Sequence, residues 1–191
     1  MMEKTFMKRL FMVLGALGLI FALTNPVQSA DLKNEFLGIE WGADLSNIKD
    51  FYVLYKKGDI VYYVNPDKYY KINESVLPPV IYGCYKGQFF AAYIRLDQKE
   101  SFEEINSYMN SKYGISAIKA RSDQEIYRWK YDKIKIKLKS GEEGKGMKLA
   151  FYFTPLSDKL NETEHEKVEQ TMKFLPIEKN KKYPAIPLFI F

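Results

Sequence analysis

Lys133, Lys135, Lys137 and Lys139 alternate with Ile134, Ile136 and Leu138. In a β-strand this period of two sets the ammonium groups on one face and the aliphatic side chains on the other. Arg128, Lys130 and Lys148 from flanking segments can join them. Such a face attracts anions: lipid head groups, acidic glycans or an acidic protein. The same stripe also suits a solvated outer sheet face, or an edge strand guarded against aggregation by its charge. Few other residues are arranged for chemistry. His165 is the only histidine, and it sits in the charged run 162–167, which reads as an exposed helix face. A Ser-His-Asp triad would have to use it, and a two-histidine zinc site is impossible. With one Cys and one His, neither a metal nor a cofactor is expected, and no residue is assigned a catalytic role. The neighbours Glu103 and Glu104, and Asp97 and Glu100, are of the type used in glycoside hydrolysis. Adjacent helical residues do not face each other, so they read as surface and capping groups. The stretch 141–146, Gly-Glu-Glu-Gly-Lys-Gly, lacks the spacing and final hydroxyl of a phosphate loop, and its glutamates would repel phosphate. It reads as a hairpin turn.

The elements that must position these residues follow from apolar spacing. Asp44 is placed to cap a short helix carrying Leu45, Ile48 and Phe51. Segments 52–56 and 60–64 read as a hairpin, and 69–72 as a further strand. Segments 80–85 and 88–96 flank Lys86-Gly87. A two-residue turn there pairs Cys84 with Phe89, Tyr82 with Ala91 and Val80 with Tyr93. Both faces of this hairpin are apolar, which suits central strands covered on both sides. A helix is expected over 102–113, with Ser101 and Glu104 at capping-box spacing and Gly114 as its C-terminal cap. Phe102, Ile105, Tyr108, Met109 and Tyr113 form its apolar stripe. Strands return at 125–131, 133–139 and 147–153, and a last helix is expected from about 162 to 174, ended by Pro176.

This order gives an α+β domain: antiparallel β meanders packed against two or three helices. The blocks 44–96 and 101–153 share a helix-then-strands order and have the form of a degenerate tandem repeat. The single cysteine excludes an internal disulfide, and Cys84 reads as a small buried hydrophobe, the alternative being a reactive thiol or an intermolecular bridge. Fifteen Tyr and thirteen Phe favour an aromatic-rich β core over a ligand-lining face.

The N-terminus sets the compartment. Lys4, Lys8 and Arg9 precede the apolar run 10–23, and Pro26 and the small residues Ser29 and Ala30 follow. That is the layout of a secretory signal peptide. Fourteen residues span about 21 Å as a helix, short of a hydrocarbon core of roughly 30 Å. Cleavage after Ser29 is preferred over cleavage after Ala30. The chain then divides into a signal peptide (1–29), one domain (30–176) and a tail (177–191) that is basic first and apolar last. The leader holds three of the 29 basic residues and one of the 24 acidic ones, so 26 against 23 leaves a net charge of +3. That is too little to imply nucleic acid. Two glycosylation patterns, at Asn73 and Asn161, carry meaning only in a eukaryotic secretory pathway, and the leader is bacterial in style. Two prolines in the aromatic-ended tail argue against the closing strand of an outer-membrane barrel.

Gly38-Ile39-Glu40-Trp41-Gly42, followed by Leu45 and Ile48, resembles the opening of small uncharacterised exported bacterial proteins with a G-I-x-W-G segment before a short helix. The similarity extends through Ile81-Tyr82-Gly83, Tyr85-Lys86-Gly87 and Tyr113-Gly114. No activity comes with that resemblance. The repeated helix-then-meander order is also similar to β-lactamase-inhibitor-like modules, which implies protein binding by fold analogy alone. The expectation is an exported, periplasmic or secreted cell-envelope protein, a non-enzymatic binding or assembly module. Its partner is an envelope protein or an anionic surface, and no membrane span remains after cleavage. The alternatives are a carboxylate-based hydrolase of envelope glycans or peptides, and a membrane-surface protein using the lysine face.

Overall fold

A computed structural model describes residues 31–121, 124–141, 146–160, 172–178 and 181–189. The leader, residues 142–145 of the Gly-rich turn, Asn161 and His165 with its charged run lie outside them. The chain enters through a two-stranded ribbon, β1 (Glu35–Phe36) and β2 (Ile39–Glu40). Then follow β3 (Tyr52–Lys57), β4 (Ile60–Val64), β5 (Tyr69–Ile72), β6 (Ser75–Leu77), β7 (Ile81–Tyr85) and β8 (Gln88–Arg95). Helix α1 (Lys99–Tyr113) leads to β9 (Ala117–Arg121), β10 (Gln124–Tyr131), β11 (Ile134–Lys139) and β12 (Lys148–Phe153). A single helical turn (Thr154–Ser157) follows, and β13 (Ala185–Pro187) comes last.

Eight strands form one antiparallel sheet in the order β3-β4-β7-β8-β12-β11-β10-β9. Each half is a four-strand meander, and the halves meet where β8 pairs with β12, Arg95 opposite Lys148 and Ala91 opposite Tyr152. β5 and β6 leave the first meander to form a separate three-stranded sheet with β13.

Both faces of the central strands are buried, because the sequence places apolar residues at successive positions there. One cluster holds Tyr82, Cys84, Phe89, Ala92, Ile134, Ile136, Leu138, Leu149 and Phe151, with Ile105 and Met109 of α1. The other holds Tyr62, Ile81, Phe90, Ala91, Tyr93, Ala150 and Tyr152. In β11 the alternation is complete: Ile134, Ile136 and Leu138 are all fully buried.

The β7–β8 hairpin turns at Lys86-Gly87, both at positive φ (49° and 80°), as a tight two-residue turn needs. Cys84 pairs with Phe89 as expected, but Tyr82 faces Ala92, and Ile81 faces Tyr93. A bulge at Phe90 shifts the register by one residue and exchanges the faces of everything beyond it. Phe90 lies over Gly83, whose missing Cβ would stand 3.2 Å from the ring.

The helices depart from expectation. The first is a three-residue 3-10 turn (Leu45–Asn47), because Asp44 accepts a bond from Ser46 N (2.8 Å) and Ile48 is already extended. Phe51 packs edge-on against Tyr82 instead. α1 begins at Lys99 with Gln98 as an N-cap that makes no side-chain cap bond, so no capping box forms. Ser101 is buried, while Glu104 accepts from Asn73 Nδ2 and Gln98 from Ser75 Oγ. The expected last helix lies outside the described residues, save 172–174, which are irregular.

The tail packs on the fold. β13 runs parallel to β5, Leu188 N donates to Lys71 O (2.9 Å), Leu188 is buried, and Phe189 stacks on Tyr108 at 4.8 Å.

Candidate functional site

The cross-strand register fixes which cations share a face. Lys139 stands between Lys148 and Ile126, Lys137 between Ala150 and Arg128, and Lys135 between Tyr152 and Lys130. Directly opposed residues point to the same side of a sheet. Lys148 in turn faces Arg95, and Lys119 of β9 faces Ile126. Three rows result: Arg95-Lys148-Lys139-Ile126-Lys119, Tyr93-Ala150-Lys137-Arg128-Ala117 and Ala91-Tyr152-Lys135-Lys130. One side of the sheet thus carries cations on five neighbouring strands, β8, β12, β11, β10 and β9, which stand about 4.8 Å apart, and on β8 and β12 these cations border the second buried cluster at Ala91, Tyr93, Ala150 and Tyr152.

Lys133 is not part of it. It sits in the β10–β11 turn, where its carbonyl accepts from Thr154 N (2.9 Å) and Oγ1 (3.0 Å). Its side chain lines a separate cleft of about 410 Å³ with Glu40, Trp41 and Asp132. The run from 133 reads as continuous alternation, but Asp132 at φ 51° makes the turn one residue longer than the pattern shows.

The face is half-buried rather than freely solvated. Lys135, Lys137 and Lys139 are partly covered, and Lys148 is only 7% exposed. The ammonium heads of Lys135, Lys137 and Lys148 lie over tyrosine rings. Lys137 stands 5.0 Å and Lys135 5.9 Å from the Tyr152 centroid, and Lys148 5.6 Å from that of Tyr93. Asp158 reaches Lys135 at 3.5 Å, and Asp97 clasps Arg95 through Nε (2.8 Å) and Nη2 (2.9 Å). Arg128 Nε is buried without a hydrogen-bond partner among the described residues. β11 is an interior strand, so its lysines do not guard an edge. Sequence alone did not bring Arg95 and Lys119 into this group. Their membership comes from strand order and register, which composition does not encode.

The carboxylates considered for hydrolysis stay apart. Glu103 pairs with Lys99 at 3.7 Å, Glu104 bonds Asn73, and Asp97 bonds Arg95. Glu104 lines a polar cleft of about 460 Å³ with Asn73, Ser107, Tyr108 and Ser111. Among the described residues, no group of three or more His, Cys, Asp or Glu is placed to hold a metal.

Cys84 is fully buried, and that burial pushes its thiol up to about 12. Trp41 is held by a bond from Nε1 to Leu32 O (2.9 Å) and by stacking on Phe89 at 4.6 Å, so the Gly38–Gly42 segment packs as part of the core. Gly42 N and Ala43 O bond Phe89 O and N (2.8 and 2.9 Å), continuing the sheet past the end of β12.

Comparison with protein-family models, curated proteins and solved structures finds no match.

Proposed function

We propose that this chain is an exported cell-envelope protein, a non-enzymatic binding or assembly module that turns its basic half-sheet toward an anionic partner. The observation that carries this reading is the three-row register of Arg95, Lys119, Arg128, Lys130, Lys135, Lys137, Lys139 and Lys148. Like charges directly opposed across a ladder destabilise it. On this face Asp97 pairs with Arg95 and Asp158 with Lys135. An anion bound across the rows relieves that repulsion, and a sheet holds the charges at fixed spacing. Such a face favours an acidic protein or an anionic envelope surface over a small substrate.

Export rests on the leader sequence. Among the described residues no helix is long and apolar enough to cross a membrane. The resemblance to small exported bacterial proteins supports the same compartment. We also propose that the two four-strand meanders are a tandem repeat, since each follows a helical segment and each ends at the β8–β12 seam.

Retention on heparin and on anionic vesicles tests the face. The protein is expected to bind both at low salt and to release as salt screens the charges. Lys135→Glu with Lys137→Glu is expected to abolish retention while leaving the far-ultraviolet circular dichroism unchanged. Undiminished retention of that double variant overturns the reading.

A further inference from the structure

Past β12 the chain stays close to the basic rows. Asp158, just after the helical turn Thr154–Ser157, reaches Lys135 at 3.5 Å. Leu160 packs on the second cluster. Met172 and Phe174 return to that same cluster, and the Arg95 guanidinium stands 5.8 Å from the Phe174 ring. The chain therefore departs beside Lys135 in the third row and comes back at Arg95 in the first. Two strand spacings and four residues separate these contacts, about 16 Å. Lys137, Lys139 and Lys148 lie within that span. This side of β12 is covered, since Lys148, Ala150 and Tyr152 are 7%, 1% and 2% exposed. Residues 161–171 join the two ends. They hold Glu162, Glu164, Glu166 and Glu169 against Lys167, four minus one, a net charge of −3 with His165 neutral. The lysines that flank the segment, Lys159 and Lys173, are exposed.

We propose that the acidic segment 161–171 docks on the basic rows as an intramolecular counter-charge, which an external anion must displace. Opposite charge and a tether anchored on the face at both ends single out this occupant. The displacement presupposes that the face binds anions, as proposed above, and adds its regulation. A short tether holds a segment at an effective concentration on the order of millimolar. A small anion with one or two charges cannot match four tethered carboxylates. The face therefore selects a polyanion that spans several rows at once.

The full chain carrying Glu162→Gln, Glu164→Gln, Glu166→Gln and Glu169→Gln is expected to elute from heparin at higher salt than the unaltered chain. Heparin also responds to net charge, so a matched control removes four exposed glutamates elsewhere. Glu40→Gln, Glu74→Gln, Glu100→Gln and Glu103→Gln fall on or beside elements packed against the first cluster, and together they are expected to shift elution much less. Zero-length carbodiimide coupling of the unaltered chain, mapped by mass spectrometry, reads the contact directly. Asp158 with Lys135 is its internal standard. Amides from Glu162, Glu164, Glu166 or Glu169 to Lys137 or Lys139 of the same chain are expected. A segment variant that elutes with its control overturns the proposal and leaves the anion-binding reading intact. So does coupling that yields the standard without those amides. Failure of every form to bind heparin overturns the anion-binding reading itself; amides to Lys137 or Lys139 then keep the docking, and their absence removes it.

Discussion

Cys84 shows how burial decides the chemistry of a single group. The thiol lies among Tyr63, Leu45 and Phe89 in the first cluster, and desolvation is the largest reason its pKa rises from 9.0 to about 12. Thiolate is the reactive form, so the native protein is expected to resist alkylation at neutral pH and to react only on unfolding. The same burial couples to stability. A folded-state pKa above the unfolded one means the native chain keeps a proton that the unfolded chain releases. The contribution is whole below pH 9 and is lost as pH climbs toward 12. Tyr82 and Tyr113, also raised chiefly by burial, add losses above pH 10. The thermal midpoint is therefore expected to hold level up to about pH 9 and then fall. In Cys84→Ala the fall is expected to begin nearer pH 10. A midpoint that rises through this range, or native-state alkylation at the unfolded rate, contradicts the assignment. Burial of Cys84 was legible from its apolar neighbours alone. That Trp41 belongs to the same core was not, since a G-I-E-W-G segment reads equally well as a surface turn.

Element by element, legibility follows how many faces the sequence has to satisfy. β11 has one buried face and one basic face, so a one-residue slip would bury three lysines, and the pattern admits one register. β7 and β8 are apolar on both faces. No residue type marks which one bulges, and the pairing beyond Phe90 was therefore hidden. The trace it leaves is Gly83, a strand-interior glycine over which the Phe90 ring closes, with Tyr62 Cε1 at 3.4 Å on the same site. Phe90 is fully buried and has no room to withdraw. Gly83→Ala is therefore expected to cost about 1–3 kcal/mol, the range for forcing an extra methyl into a packed core, read as a lower urea midpoint at unchanged m-value. An unchanged midpoint removes the packing argument for the bulge. α1 was found from its stripe, but its start was not, because Glu104 is taken by Asn73 of the β5–β6 turn and Ser101 is buried. Its far end is fixed from outside as well: Asn110 Oδ1 accepts from Ser116 N (3.1 Å) and Trp129 Nε1 (3.2 Å), which also reaches Gly114 O (3.0 Å). Capping partners that arrive from distant strands leave no local signature.

Over the whole molecule the question is whether the two meanders are one folding unit. The ladder between β8 and β12 is continuous, with five residue pairs from Lys148–Arg95 to Tyr152–Ala91. The first cluster draws Tyr82, Phe89 and Ile94 from one half and Ile136, Leu149 and Phe151 from the other, with no gap between them. Phe36 packs on Phe151 at 4.8 Å, so the N-terminal ribbon belongs to the second half's core although it precedes the first. Opening the seam would expose both halves of a shared apolar layer. Neither half is therefore expected to persist alone, whatever its ancestry as a repeat. The two tryptophans report different places: Trp41 stands at the seam, stacked on Phe89 of the first half (4.6 Å) and on Phe153 of the second (6.0 Å), and Trp129 sits in β10 of the second half. In Trp129→Phe the remaining fluorescence follows the seam, and in Trp41→Phe the second half. Within each variant the fluorescence transition in urea is expected to coincide with the far-ultraviolet circular dichroism transition, as a two-state unit requires. A fluorescence midpoint below that of circular dichroism in Trp129→Phe, with the two coincident in Trp41→Phe, would mean that the seam opens before the halves do. The shared core would then be a docking surface between two autonomous modules.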